Sequence, residues 1–127
     1  MTATATLAKL YEAFTAGDGE ALAALIGDTQ WVEAAGGPYG GTYHGLGEIA
    51  ANVFQPIGRD VEGFTAVPDE ILPVGDDRAI ALGTYRGTTP AGPFATRFAH
   101  LATVSDGKIS RFEQFTDTHE WREAVDR

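Results

Sequence analysis

PFATRFAHLATVSDGKISRFEQFTDTHEW, residues 93–121, holds the pattern that decides the fold. Residues 94–104 and 108–116 alternate apolar and polar side chains, as half-buried strands do. Ser105-Asp106-Gly107 between them reads as a turn, and Asp117-Thr118-His119-Glu120 runs into a short helix. Side chains of a strand alternate sides, so Phe98, His100, Ala102 and Val104 share one face of the first strand. Arg111, Glu113, Phe115 and Asp117 share one face of the second. A histidine and carboxylates are therefore expected among aromatics on a half-buried sheet. Such a setting perturbs pKa values for acid/base work, or else forms a satisfied polar patch.

Working outward, residues 64–67, 70–74 and 78–86 carry the same strand character, separated by Pro, Gly and Asp punctuation, with Asp76-Asp77 a clear turn. The first half of the chain is different. Leu7, Leu10, Tyr11 and Phe14 recur at i, i+3, i+4 and i+7, one stripe of an amphipathic helix that Gly17-Asp18-Gly19 breaks. Asp18 is placed to cap a second helix bearing Leu22, Leu25 and Ile26. Residues 29–35 read as a strand, with Trp31, Glu33 and Ala35 on one side. GGPYGGTYHGLG, residues 36–47, follows as a loop able to approach a ligand or another backbone segment closely. Leu46, Ile49, Ala50, Val53 and Phe54 form a third helical stripe, expected to stop at Pro56. Helices first, one strand, another helix and then an antiparallel meander is an α+β arrangement, a curved sheet with helices on one face. One domain accounts for all 127 residues.

Composition narrows the function classes. There is no cysteine, which removes disulfides, thiol catalysis and cysteine-held metals. The net charge is −9 and no Lys/Arg cluster occurs, so neither nucleic acid nor an anionic membrane is an expected partner. No segment has the length and apolarity of a membrane span, and MTATATLAKLYEAF lacks the basic-then-apolar pattern of a secretion signal. A cytoplasmic protein is the expectation.

The helical pair with its Gly-Asp-Gly corner, Trp31-x-Glu33 and the glycine-rich loop together resemble the nuclear transport factor 2-like superfamily, in particular its SnoaL-like, ketosteroid-isomerase-like branch. Arg97-Phe98-Ala99-His100, the Asp106-Gly107-Lys108-Ile109 turn and Phe115-Thr116-Asp117-Thr118 carry the strongest part of the likeness. The resemblance implies a cone-shaped, cystatin-like fold whose curved sheet wraps a long helix around an apolar cavity. It also implies a homodimer formed through the outer face of the sheet. The same fold serves isomerases, cyclases, epoxide hydrolases and non-catalytic domains, so it does not decide activity.

Three residues are candidates for acid/base chemistry. SnoaL-like cyclases use an aspartate near the end of this strand, and Asp117 matches it; its spacing to Glu120 is equally that of a helix cap. His100 titrates near neutrality and suits proton transfer, or is a satisfied core group. Glu33 shares a face with Trp31, and a carboxylate against an indole in an apolar pocket has a raised pKa; the other reading pairs it with Arg97 or Arg111. Tyr39, Tyr43 and Tyr85 are candidate phenolic donors to a carbonyl or enolate oxygen. Trp31, Phe54, Phe98 and Phe115 are expected to line the cavity or pack the core, Glu113 to join an ion pair or the dimer face, and His44 to sit in an exposed lid.

His44, His100 and His119 lack metal-ligand spacing, and no GxSxG, phosphate loop or dinucleotide fingerprint is present. The Asp-Arg-Asp constellation of limonene-epoxide hydrolases loses a member here, because Ala99 stands two residues after Arg97. The expected function is binding of a small, largely apolar carbonyl compound, with isomerisation or aldol-type, polyketide-cyclase-like chemistry that needs no cofactor. A non-catalytic ligand-binding or dimerisation module is the alternative, and an epoxide-hydrolase-like activity the third.

Overall fold

Burial of one apolar stripe explains the first helices in the computed structural model, which describes residues 1–125. Helix α1 (Ala3–Ala16) starts where Thr2 accepts the Ala5 N–H and buries Leu7, Leu10 and Tyr11. It ends at Gly17, whose φ of 63° is the left-handed cap that glycine adopts without penalty. Asp18 then caps α2 (Gly19–Leu25), accepting the Ala21 N–H at 3.1 Å.

Strand β1 (Ile26–Glu33) follows directly, starting three residues earlier than its sequence pattern suggested. The glycine-rich loop turns the chain into the short antiparallel strand β2 (Gly41–His44). The next helix does not stop at Pro56. It runs through α3 (Gly45–Ile49), a π-helical turn (Ala50–Phe54) and α4 (Gln55–Asp60). In the wide turn the Gln55 N–H reaches back to the Ala50 carbonyl, five residues away. That looser winding accommodates a proline, which has no N–H to give and crowds the preceding turn.

The remaining strands form the expected meander, β3 (Glu62–Val74), β4 (Arg78–Thr89), β5 (Gly92–Ser105) and β6 (Lys108–Thr116), before helix α5 (Thr118–Val125). The two strands expected at 64–67 and 70–74 are one strand, with a register shift between Pro68 and Glu70. All six strands make one sheet in the order β2-β1-β6-β5-β4-β3. Every pairing is antiparallel except that of β1 with β6, which run parallel, Trp31 beside Phe112 and Val32 beside Glu113. The fold is thus α+β, a curved open sheet holding helices against its inner face.

A defect in the β5–β6 hairpin decides which residues point inward. Asp106 and Gly107 both have positive φ, 53° and 75°, the two-residue turn that matches strand twist. Ser105 pairs with Lys108 and Val104 with Ile109, but Thr103 pairs with Arg111, so Ser110 is an extra residue. Its hydroxyl donates to the Thr103 carbonyl at 3.2 Å. Beyond this bulge the register is shifted by one, and a shift of one exchanges the faces of a strand. His100 therefore stands opposite Gln114 and not Glu113. Phe112 and Gln114 are buried, while Arg111, Glu113 and Phe115 lie on the outer face.

Among the described residues, no helix is long and apolar enough to cross a membrane.

Candidate functional site

The inner face of the sheet and the helices enclose a cavity bordered by Tyr11 and Phe14 of α1, Trp31 and Glu33 of β1, Tyr85 of β4, and His100 of β5. Val53, Phe54 and Ile57 close it from the π turn and α4, and Phe112 and Gln114 from β6. Its volume is about 50 Å³. The walls are aromatic and aliphatic, with polar groups concentrated on the sheet.

Glu33 ends β1 with its side chain on the inner face and is 5% exposed. The Trp31 indole N–H donates to its Oε2 at 3.2 Å. Trp31 is fixed in turn by stacking on Phe112, ring centroids 3.8 Å apart, and by an edge contact with Phe54. Burial pushes the Glu33 carboxyl up to about 7, with the Trp31 hydrogen bond pulling the other way. Near neutral pH this group is split between acid and base forms, the condition for moving protons in either direction. Neither Arg97 nor Arg111 pairs with it: Arg97 bonds Asp69, and Arg111 bonds Glu113, at the surface.

His100, 4% exposed, sits between two tyrosines. Its Nδ1 lies 2.6 Å from the Tyr11 hydroxyl, and its Nε2 is hydrogen-bonded to the Tyr85 hydroxyl. Phe98 stacks on its ring at 4.1 Å between centroids. Burial lowers the imidazole pKa to about 3, so the ring is neutral across the physiological range. Gln114 Nε2 donates to the Tyr85 hydroxyl at 3.0 Å, and Gln114 Oε1 accepts the Ala34 N–H at 3.0 Å. Burial raises the pKa of both phenols, with the Glu33 charge adding to the effect at Tyr85. Both stay protonated and remain hydrogen-bond donors.

The cavity thus brings together Glu33, His100, Trp31, Phe54 and Tyr85 from the residues expected to form a site. Phe98 is buried behind His100 as part of the core. The other candidates lie elsewhere. Asp117 is exposed at the start of α5, where its Oδ1 accepts the Glu120 N–H at 3.1 Å; it is a helix cap outside the cavity. Phe115 is 50% exposed on the outer face because the bulge at Ser110 exchanged the faces of β6. Tyr39 and Tyr43 belong to the glycine-rich loop and β2. Tyr39 donates to Asp60 Oδ2 at 2.9 Å, and the Tyr43 hydroxyl reaches the Tyr39 carbonyl at 2.9 Å. Tyr39 also borders a smaller space that touches Glu33, Gln114 and Trp121. Tyr11 and Gln114 were not among the expected site residues. Tyr11 reads as one more member of an apolar stripe, and Gln114 becomes visible only once the bulge is known.

Among the described residues, no group of three or more acidic or histidine side chains is placed to hold a metal ion. What the site can do chemically is hold an oxygen-bearing, otherwise apolar molecule between a near-neutral carboxyl group and phenolic donors.

Comparison with known proteins agrees with this architecture. The SnoaL-like domain family matches residues 7–112. A nuclear transport factor 2-like protein from Burkholderia thailandensis is 37% identical over 94% of each chain, with a TM-score of 0.86. A nuclear transport factor 2-like protein of unknown function from Burkholderia pseudomallei is 30% identical over the full length of both chains, TM-score 0.87. TerC, crystallised with polyporic acid, is 26% identical over 97% of each chain, TM-score 0.85. No curated protein matches. With a family match across most of the chain and full-length structural relatives of the same architecture, this protein belongs to the SnoaL-like domain family of the nuclear transport factor 2-like superfamily.

Proposed function

We propose that the cavity binds a small, largely apolar carbonyl compound and that Glu33 moves a proton on it without a cofactor. The observation that carries this reading is the Glu33 carboxyl, buried against the Trp31 indole in an aromatic cavity and poised near neutrality. Ionised Glu33 removes a proton from the carbon beside the carbonyl, and the electron pair of that C–H bond passes to the oxygen as an enolate. A phenolic O–H of the Tyr11–His100–Tyr85 group stabilises the oxygen charge. Protonated Glu33 then returns its proton to a different carbon, giving an isomer, or the enolate carbon attacks a second carbonyl and Glu33 gives its proton to the alkoxide that forms, closing an aldol-type ring.

Calorimetric titration with polyporic acid and with smaller aryl ketones tests this, followed by product analysis for wild type and Glu33→Gln. We expect binding by both proteins and turnover by the wild type alone. Binding without turnover by either favours the second reading, a non-catalytic ligand-binding module. The small cavity volume, about 50 Å³, is the observation on that side. The third reading, epoxide hydrolysis, has no arginine to work with among the described residues that line the cavity, and Arg97 pairs with Asp69 at the surface.

We also infer that two copies associate through the outer face of the sheet, where the half-exposed Phe115 ring lies beside the Arg111–Glu113 ion pair. Sedimentation should show a dimer for the wild type and a monomer of unchanged fold for Phe115→Glu. A monomeric wild type would overturn this.

A further inference from the structure

The hydrogen bonds around His100 contain more protons than the chain can use internally. A neutral imidazole has one N–H, and Tyr11 and Tyr85 each have one O–H, which makes three donors for two links. One donor must point out of the triad. Gln114 decides which. Its Oε1 accepts the Ala34 N–H, so its Nε2 faces Tyr85 and can only donate. Among the described residues, the Tyr85 oxygen then has one partner that donates to it, Gln114, and one able to accept from it, His100 Nε2.

We infer that Gln114 is the residue that sets the direction of this chain, holding His100 as the Nδ1–H tautomer and leaving the Tyr11 O–H as the donor for the ligand's oxygen. The chain then runs head to tail: Ala34 N–H to Gln114, Gln114 to Tyr85, Tyr85 to His100 Nε2, His100 Nδ1–H to Tyr11, and Tyr11 into the cavity. Aligned dipoles reinforce one another, so charge developing on a ligand oxygen is felt along the whole relay. The opposite tautomer sends two donors onto the Tyr85 oxygen from Gln114 and His100. Among the described residues the Tyr85 proton then has no hydrogen-bond acceptor, and an unmade buried donor is costly. In the chosen direction the surplus proton sits on Tyr11: both phenols border the cavity, but among the described residues the Tyr11 oxygen has one partner where the Tyr85 oxygen already has two.

The role of Tyr11 as ligand donor rests on the carbonyl-binding reading above; the direction of the chain does not. The test is nitrogen-15 NMR of the histidine ring in wild type and Gln114→Glu. The wild type should show a protonated Nδ1 and a bare Nε2 at His100. An ionised carboxylate at position 114 accepts the Tyr85 proton and reverses the chain, so the variant should show the opposite tautomer. Affinity for 2-naphthol, a phenol standing in for an enolate oxygen on an apolar frame, should fall about tenfold or more in the variant. A bare Nδ1 in the wild type overturns the assignment without needing any variant to fold. Reversal of the tautomer with no change in 2-naphthol affinity overturns Tyr11 as the donor. If 2-naphthol binds neither protein, the carbonyl-ligand reading fails and Tyr11's role falls with it, while the tautomer still decides the part of Gln114.

Discussion

Glu33 ends β1 and Asp117 follows β6, two neighbouring parallel strands, at the same end of the sheet, and the fold treats them in opposite ways. Glu33 turns inward into an apolar cavity, where burial lifts its pKa towards neutrality against the opposing pull of the Trp31 indole N–H. Asp117 lies one residue beyond β6, in water, and accepts a backbone N–H of α5. Proximity to aromatics in the chain is the same for both. The chemical difference comes from the side of the sheet and from how much solvent each carboxylate keeps.

The contrast breaks most readily at the level of turnover. Glu33→Gln keeps the shape of the site and removes the titrating group, so we expect turnover of a processed ketone to fall about 100-fold or more, with folding intact. Asp117→Asn should leave turnover unchanged. A loss of activity in Asp117→Asn with none in Glu33→Gln would reverse the comparison.

The next effect is on stability against pH. The raised pKa of Glu33 means that its neutral form suits the fold. Its contribution is complete below its ordinary value of 4.5 and is lost as pH rises through about 7. His100 works in the opposite sense: its lowered pKa makes stability fall as pH drops from 6.5 towards about 3. Between pH 4.5 and 6.5 the native state holds a proton on Glu33 and the unfolded state holds one on His100, so the two slopes cancel. Urea unfolding of Glu33→Gln in that window should show stability rising with pH by about 1.4 kcal/mol per unit. His100→Phe should show it falling with a similar slope. A flat profile in both variants would mean that neither group is as buried in solution as the structure shows.

The smallest effects sharpen the other half of the comparison. Asp117→Ala removes the cap and should cost about 1 kcal/mol by urea unfolding, without altering ligand affinity. Asp117→Asn, which keeps a capping oxygen, should cost only a few tenths.

Local patterns carried most of the architecture. The helical stripe through Leu7, Leu10 and Tyr11, the cap at Asp18 and the turn at Asp106-Gly107 all appear where spacing alone puts them. Trp31-x-Glu33 placed both members of a real pair on one inner face, because β1 is regular there. The site became illegible where a single residue broke the period. Without the Ser110 bulge, His100 would face Glu113, and Phe115 would share its side of the sheet; with it, Gln114 and Phe112 do. Nothing about Ser110 as a residue type announces that insertion. Pro56 misleads for a related reason, since a π turn just before it lets the helix continue through the proline. Tyr11 illustrates a third limit. Its apolar body belongs to the stripe, and only tertiary contact with His100 shows what its hydroxyl does.

The parallel pairing of β1 with β6 has a consequence for the order in which the molecule can assemble. On its β6 side, β1 finds its partners in residues 109–113, roughly eighty positions later, whereas its other edge pairs with the nearby β2. Closing so long a loop sets a large entropic cost before its contacts are made, and such pairings come late in folding. During synthesis α1, α2 and β1 therefore emerge long before the strand that will cover them. Until β6 has been made, Trp31 lacks the Phe112 ring it stacks on, and the cavity lacks the wall that Phe112 and Gln114 supply. The buried setting that raises the Glu33 pKa is thus completed only when the last strand docks beside the first.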